Sequence, residues 1–212
     1  MAHGQPRRQA VTIILLVEGE TERSLTDKLR EFLNTQAQAN QQPRVSLQTR
    51  KIKSFAPSAL GRQISLELQN PNNTVVVALI DVFPKFKNAA AAKQFLESAA
   101  KSAEVNANFH AHAAQFDIEA WLLPYWEEIC ARVGVKQNVP GKNPEQVNGI
   151  KPPSYHLKEL YQRAKPARKY NKILEMPAIL KNKDLTLSAN ACPEFKSLLH
   201  TLLKLNNLPR LP

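Results

Sequence analysis

Apolar positions follow two rhythms along this chain. Continuous apolar runs of strand length occupy residues 11–17 and 74–81, the second reading Thr-Val-Val-Val-Ala-Leu-Ile-Asp. Runs of this kind predict central parallel strands covered on both faces. Behind the first run, Leu25, Leu29, Phe32 and Leu33 recur at i, i+4, i+7 and i+8, one apolar stripe of a helix. Residues 44–53 alternate around Val45 and Leu47 and predict another strand. Leu60, Ile64 and Leu68 predict a short amphipathic helix, with Ser58 as its N-cap after Pro57. An alanine-rich helix with Phe95 and Leu96 as its larger core residues is expected over 88–103. A fourth strand is expected over 109–116. Ile118, Trp121, Leu122, Tyr125, Trp126 and Ile129 then predict a helix ending near Gly134, with both tryptophans packed in the core.

Strand and helix alternate throughout this part. The expected fold is α/β, a mainly parallel sheet flanked by helices with right-handed crossovers, over residues 1–138. Residues 139–153 are rich in Pro, Gly and Asn and read as a boundary loop. Residues 139–212 are then expected to form a basic helical extension packed on the α/β domain. Its helices would carry Leu157, Leu160 and Tyr161, then residues 170–174, then Phe195, Leu198, Leu199 and Leu202. The tail 206–212 would fray or lie along the surface.

Charge adds a partner to this outline. The 212 residues hold 29 Lys and Arg against 18 Asp and Glu, a net +11. Between Lys136 and Lys183 there are eleven basic and three acidic residues, so +8 of the excess is regional. That pattern favours a polyanion, DNA or RNA. Lys158, Arg163, Lys165, Arg168, Lys169 and Lys172 are interleaved with Tyr155, Tyr161 and Tyr170, cations for phosphates beside rings for stacking. A solvated amphipathic face accounts for the same residues equally well. Cys130 and Cys192 lack CxxC spacing and read as buried or idle thiols. Residues 1–10 include Arg7 and Arg8, but no cleavage site follows, and no apolar run approaches the roughly 20 residues of a membrane span. The expectation is a cytoplasmic location without membrane contact.

Acidic residues stand where the strands end. Val17 to Glu22 read Val-Glu-Gly-Glu-Thr-Glu, Asp81 closes the second buried run, and Asp117 and Glu119 follow the fourth strand. Any one such acid is most simply a helix N-cap or a turn residue, and Glu22 is accounted for by the positive end of the following helix. Glu18 and Asp81 each terminate a buried strand, where an unpaired carboxylate is costly. Converging carboxylates can hold a hard divalent cation, and such a cation can activate water and stabilise phosphoryl charge.

Leu16-Val17-Glu18-Gly19-Glu20-Thr21-Glu22, followed by Ala78-Leu79-Ile80-Asp81, resembles the Toprim domain. That is the metal-binding fold of topoisomerases, primases and OLD-family nucleases, with a glutamate after its first strand and Asp-x-Asp after its third. Phe83 stands where the second aspartate belongs. One Toprim-like branch of unknown function, encoded beside ABC-type or AAA-type ATPases in bacteria, tolerates an aromatic there. Residues 115–123, Gln-Phe-Asp-Ile-Glu-Ala-Trp-Leu-Leu, and 191–195, Ala-Cys-Pro-Glu-Phe, resemble that branch too.

The resemblance implies a Rossmannoid sheet, Mg²⁺ or Mn²⁺, and a nuclease acting on DNA or RNA, coupled to a neighbouring ATPase in phage defence. Glu18, Asp81 and Glu119 would be its catalytic residues, Glu18 and Asp81 as metal ligands and Glu119 as a further ligand or the group that positions water. Glu20 or Asp117 would be a supporting carboxylate, and Asp117 or Glu119 would replace the charge lost at Phe83. The competing expectations are a binding subunit with a degenerate metal site, or a phosphatase-like enzyme acting on a small phosphoester. Gly19 belongs to no GxGxxG or GxxxxGK motif, so ATP hydrolysis would fall to a partner. His110 and His112 would share one strand face, and His156 could approach a phosphate; structural roles explain all three as well.

Overall fold

In the computed structural model residues 11–105, 107–147 and 151–212 are described. Residues 1–10, with Arg7 and Arg8, and 148–150 of the expected boundary loop lie outside the described residues.

The first apolar run is strand β1 (Thr12–Val17), and it sits inside the sheet because both its faces are apolar. Strand β2 (Ser46–Lys51) flanks it on one side and β3 (Val75–Asp81) on the other, with β4 (Phe109–Ala114) outside β3. Every pairing is parallel, and among the described residues the sheet has four strands in the order β2-β1-β3-β4. Between β1 and β3 the connections leave in opposite directions. The carboxyl ends of those two strands therefore border a crevice that neither crossover covers, the usual binding position in an open α/β sheet.

Alternation of side chains divides the core in two. Ile14 and Leu16 of β1, with Val76, Ala78 and Ile80 of β3, face helices α2 (Pro57–Gln69) and α3 (Ala89–Ser102). Ile13, Leu15 and Val17, with Val75, Val77 and Leu79, face helix α1 (Glu20–Ala39), whose expected stripe of Leu25, Leu29, Phe32 and Leu33 is buried. Asp81 has the parity of Leu79 and so belongs to the second face.

Among the described residues beyond 138, the buried apolar side chains belong to the core on one face of the sheet. Helices α5 (Pro153–Gln162), α6 (Lys172–Leu180), α7 (Leu185–Ala191) and α8 (Pro193–Leu205) join the α1 face of the sheet in one apolar cluster, and Leu208 of the tail is buried in it. The seven residues of α7 carry too short an apolar pattern to be read as a helix from sequence. Asp184 caps it, accepting from the Thr186 N–H at 2.9 Å.

Other departures have local causes. Helix α2 starts from Ala56, with Pro57 in its first turn, so Ser58 is inside the helix and not its cap. The helix expected over 118–129 is a 3₁₀ segment (Ile118–Tyr125) followed by α4 (Trp126–Val133), because Pro124 has no N–H to continue an α-helical ladder. The 3₁₀ segment is buried nearly all round, Trp121 stacking on Phe195 at 4.5 Å between ring centroids. Helix α6 begins at Lys172 with Asn171 as cap, leaving Tyr170 in the preceding segment. Gly134 ends α4 in the left-handed conformation at φ 74°. Cys130 and Cys192 are free and buried, and among the described residues no helix is long and apolar enough to cross a membrane.

Helices α2 and α3 touch through Gly61. A Cβ there would stand 2.2 Å from the Ala99 carbonyl oxygen and 3.0 Å from Ala103 Cβ. Gly61→Ala is expected to lower the unfolding free energy by about 1–3 kcal/mol through forced helix displacement. A urea melt measures it, and a stability equal to wild type would disprove the close approach.

Candidate functional site

Five carboxylates gather at the carboxyl ends of β1, β3 and β4. Glu18 follows β1 and forms an ion pair through Oε1 with Lys85, while its Oε2 is buried without a partner among the described residues. Glu22 lies one turn into α1, only 3% exposed, and its Oε2 accepts from the Gly19 N–H at 3.0 Å. Asp81 ends β3, and its Oδ1 accepts from the Ile118 N–H at 3.0 Å. Asp117 accepts from the Ser154 N–H at 3.2 Å through Oδ2, and its Oδ1 has no partner among the described residues. Glu119 is 1% exposed, and neither of its oxygens has a partner there either.

The turn that delivers Asp117 and Glu119 is strained. Phe116 has φ 66°, a left-handed conformation rare for a bulky residue. Its carbonyl accepts from the Phe83 N–H at 2.6 Å, which ties the end of β4 to the end of β3.

Electrostatics shows how close the acids are. Burial raises the Asp81 pKa well above its ordinary value, and the charges of Glu22, Glu119, Asp117 and Glu18 raise it further. Burial, then the Asp117 charge, pushes Glu119 up to about 8. Glu22 and Asp117 are also raised, chiefly by burial. Lys172 opposes the shift at Glu22, Asp117 and Glu119, and Lys158 opposes it at Asp117.

Those lysines stand on the rim of a cleft of about 600 Å³ lined by Asp81, Asp117 and Glu119 below and by Lys158, Lys169 and Lys172. Ser154, Asn171 and Tyr170 also line it, the Tyr170 hydroxyl being buried without a partner among the described residues. Among those same residues the three lysines form no ion pair with the acids. Lys158 and Lys172 lower the cost of the negative charge through space without pairing with the acids. Arg163, Lys165 and Arg168 are exposed but do not line this cleft, and Arg163 donates to Gln137 Oε1 at 2.8 Å.

The structure thus brings Glu18, Asp81, Asp117 and Glu119 into one cluster and leaves Glu20 out of it. Glu20 is exposed and paired with Arg23 at 3.4 Å, because it falls off the buried stripe of α1. Glu22 takes its place. It lies in phase with Leu25 and Leu29 on the inward face, a signal in the sequence that its reading as helix electrostatics passed over; it does also close a capping box. Lys85 had no periodic signal, and Tyr170, expected as a ring for stacking, is instead buried against the cleft. His110 and His112 share the face of β4 toward α8, where His112 Nε2 lies 3.0 Å from Thr201 Oγ1 and burial lowers its pKa to about 4. Neither they nor His156 lines the cleft.

Among the described residues no three His, Cys, Asp or Glu side chains are arranged to hold a metal ion. The donor chemistry nevertheless fits a hard cation: buried carboxylate oxygens of Glu18, Asp117 and Glu119 lack partners, and the acids repel one another.

A folded-state pKa above the unfolded value favours the neutral carboxyl in the fold. For Glu119, stabilisation is full below the ordinary value of 4.5 and is lost as pH rises through about 8. Without divalent cations, melting temperature is expected to fall across that window, and Glu119→Gln to flatten the fall. Parallel wild-type and variant profiles would refute the assignment.

A family model described as a domain of unknown function (DUF4276) matches residues 17–203, a span that includes every residue of the cluster and its rim. No curated protein and no solved structure is detectably similar to the chain.

Proposed function

The chain belongs to the DUF4276 family, and we propose from the chemistry of its cleft that it is a divalent-cation-dependent phosphodiesterase acting on DNA or RNA in the cytoplasm. One observation carries this reading: an acidic floor and a rim of lysines without an ion-pair partner among the described residues share a single cleft at the switch point of a parallel sheet. An anion attracted by the lysines alone would be repelled by the acids, and a cation held by the acids resolves that conflict. The resemblance of Glu18 and Asp81 to the Toprim acids agrees with it, as do the two free thiols with a reducing compartment.

Glu18, Asp81, Asp117 and Glu119 would hold the cation, with Glu22 beside them. Bound Mg²⁺ or Mn²⁺ would supply charge stabilisation at a phosphoryl oxygen and a water of lowered pKa. Lys158, Lys169 and Lys172 neutralise and orient the phosphates entering the cleft. Glu119, pushed up to about 8 by burial and the Asp117 charge in the absence of a cation, would have to release its proton to act as a ligand. The Ser154 N–H steadies Asp117, and the Ile118 N–H steadies Asp81.

A second reading, a binding subunit that associates with nucleic acid or an ATPase without cutting, is favoured by the Glu18–Lys85 ion pair, which occupies one of the acids. Two measurements separate them. Mg²⁺ or Mn²⁺ is expected to raise the melting temperature of the wild type and to lose that effect in Asp81→Ala. Phosphodiester cleavage with either ion is expected to fall at least about a hundredfold in Glu18→Ala and Asp81→Ala. Salt-sensitive binding that survives both changes, with no cutting under either metal, establishes the binding subunit instead.

The rim is tested separately. Replacing Lys158, Lys169 and Lys172 by alanine should flatten the dependence of log affinity on log salt by about 0.7–0.9 for each phosphate no longer neutralised. An unchanged slope would place the nucleic acid elsewhere.

A further inference from the structure

Phe83 is the aromatic side chain most out of place in the cleft. Val82 turns into the core, and Phe83, in the turn that follows β3, lines the same cleft as Asp81. It lines the cleft and is 41% exposed, an uncovered ring among charged groups. Its backbone is anchored to the Phe116 carbonyl beside the strained turn, which positions the ring close to the acids. Ile173, 46% exposed, adds a second apolar surface to the same lining. Apolar surface left open in a cleft with free lysines calls for a ligand that is both flat and anionic.

A nucleotide has that chemistry, but only when its base is unpaired. In a duplex the base faces are covered by neighbouring pairs and cannot meet a side-chain ring without unstacking. A cleft of about 600 Å³ is also of the size that takes a nucleotide-scale ligand, well short of a double helix. Resting on the nucleic-acid reading above, we propose that the cleft selects unpaired nucleotides. One base stacks on Phe83, its flanking phosphates lie along Lys158, Lys169 and Lys172, and the phosphodiester faces Asp81 and Glu119. Stacking is tolerant of base identity, so the selection is for strand state and not for sequence.

The test uses the full chain with Ca²⁺ in place of Mg²⁺, so that a hard cation neutralises the acids, and gels run on the same samples check that the strands stay intact while binding is read. Fluorescein-labelled single-stranded DNA, single-stranded RNA and a blunt DNA duplex of the same sequence are titrated by anisotropy against wild type, Phe83→Ala, Phe83→Leu and Phe83→Trp. Single strands are expected to bind about tenfold or more tighter than duplex. Phe83→Ala and Phe83→Leu should weaken single-strand binding by about tenfold to a hundredfold and leave duplex binding unchanged. Phe83→Trp should keep the affinity, with its exposed indole quenched as the strand binds. The DNA and RNA arms show which backbone is preferred. Equal binding of single strand and duplex, or Phe83→Leu at wild-type affinity, overturns the stacking role while leaving the nucleic-acid reading standing. No binding of any oligonucleotide overturns both. Melting temperature equal to wild type in the three variants confirms that the fold is intact.

Discussion

Mutual repulsion among buried carboxylates at the carboxyl edge of the sheet is the constraint the rest of the molecule accommodates. A buried, unpaired carboxylate costs several kcal/mol, whereas an exposed ion pair returns about 1 kcal/mol or less. The surface pairs of α1, such as Glu20 with Arg23, are therefore no compensation for the state of Glu119. What carries the cost is apolar burial on both faces of β1 and β3, together with protonation and the distant charge of Lys172.

The helices beyond residue 138 serve both sides of that balance. Leu157, Leu160, Met176 and Ile179 join the core that covers one face of the sheet, while Lys158 and Lys172 on the same helices project onto the cleft. The basic excess of this stretch is thus coupled to the acids by the packing of its own helices. Ser154 adds a direct tie, its N–H bonded to Asp117. The site's electrostatics and the fold's largest apolar cluster depend on the same elements, so neither can be altered alone.

Much of this was legible in the chain. Continuous apolar runs locate β1 and β3 because burial on both faces leaves no polar alternation, and Glu18 and Asp81 then mark the edge where they end. The helix break at Pro124 and the early start of α2 at Pro57 were available as local chemistry, but the periodicity of neighbouring apolar residues masked them. Tertiary information was less accessible. The six basic residues from Lys158 to Lys172 look alike in sequence, yet only Lys158, Lys169 and Lys172 face the acids, because α5, the segment before α6 and the first turn of α6 converge there. Glu20 and Glu22 differ by a small step of helical phase, and that step decides which is buried.

Phase also explains why the site can hold opposite charges without cancelling them. Glu22, Asp81, Asp117 and Glu119 are fixed on rigid elements or on turns tied to backbone N–H groups, facing inward. The rim lysines are long, exposed side chains, Lys158 and Lys172 on helices whose inward stripes are apolar and Lys169 on the segment between them, so their stems lie at the surface. Direct pairing would require those heads to desolvate beside the core. Among the described residues it is Lys85, from the loop after β3, that reaches an acid of the cluster, Glu18, and its ammonium also lies 4.2 Å from the centre of the Phe55 ring. The cluster consequently keeps carboxyls that burial holds toward their protonated form on the wall of an open cleft, and under the proposed function a small cation would take the place of those protons.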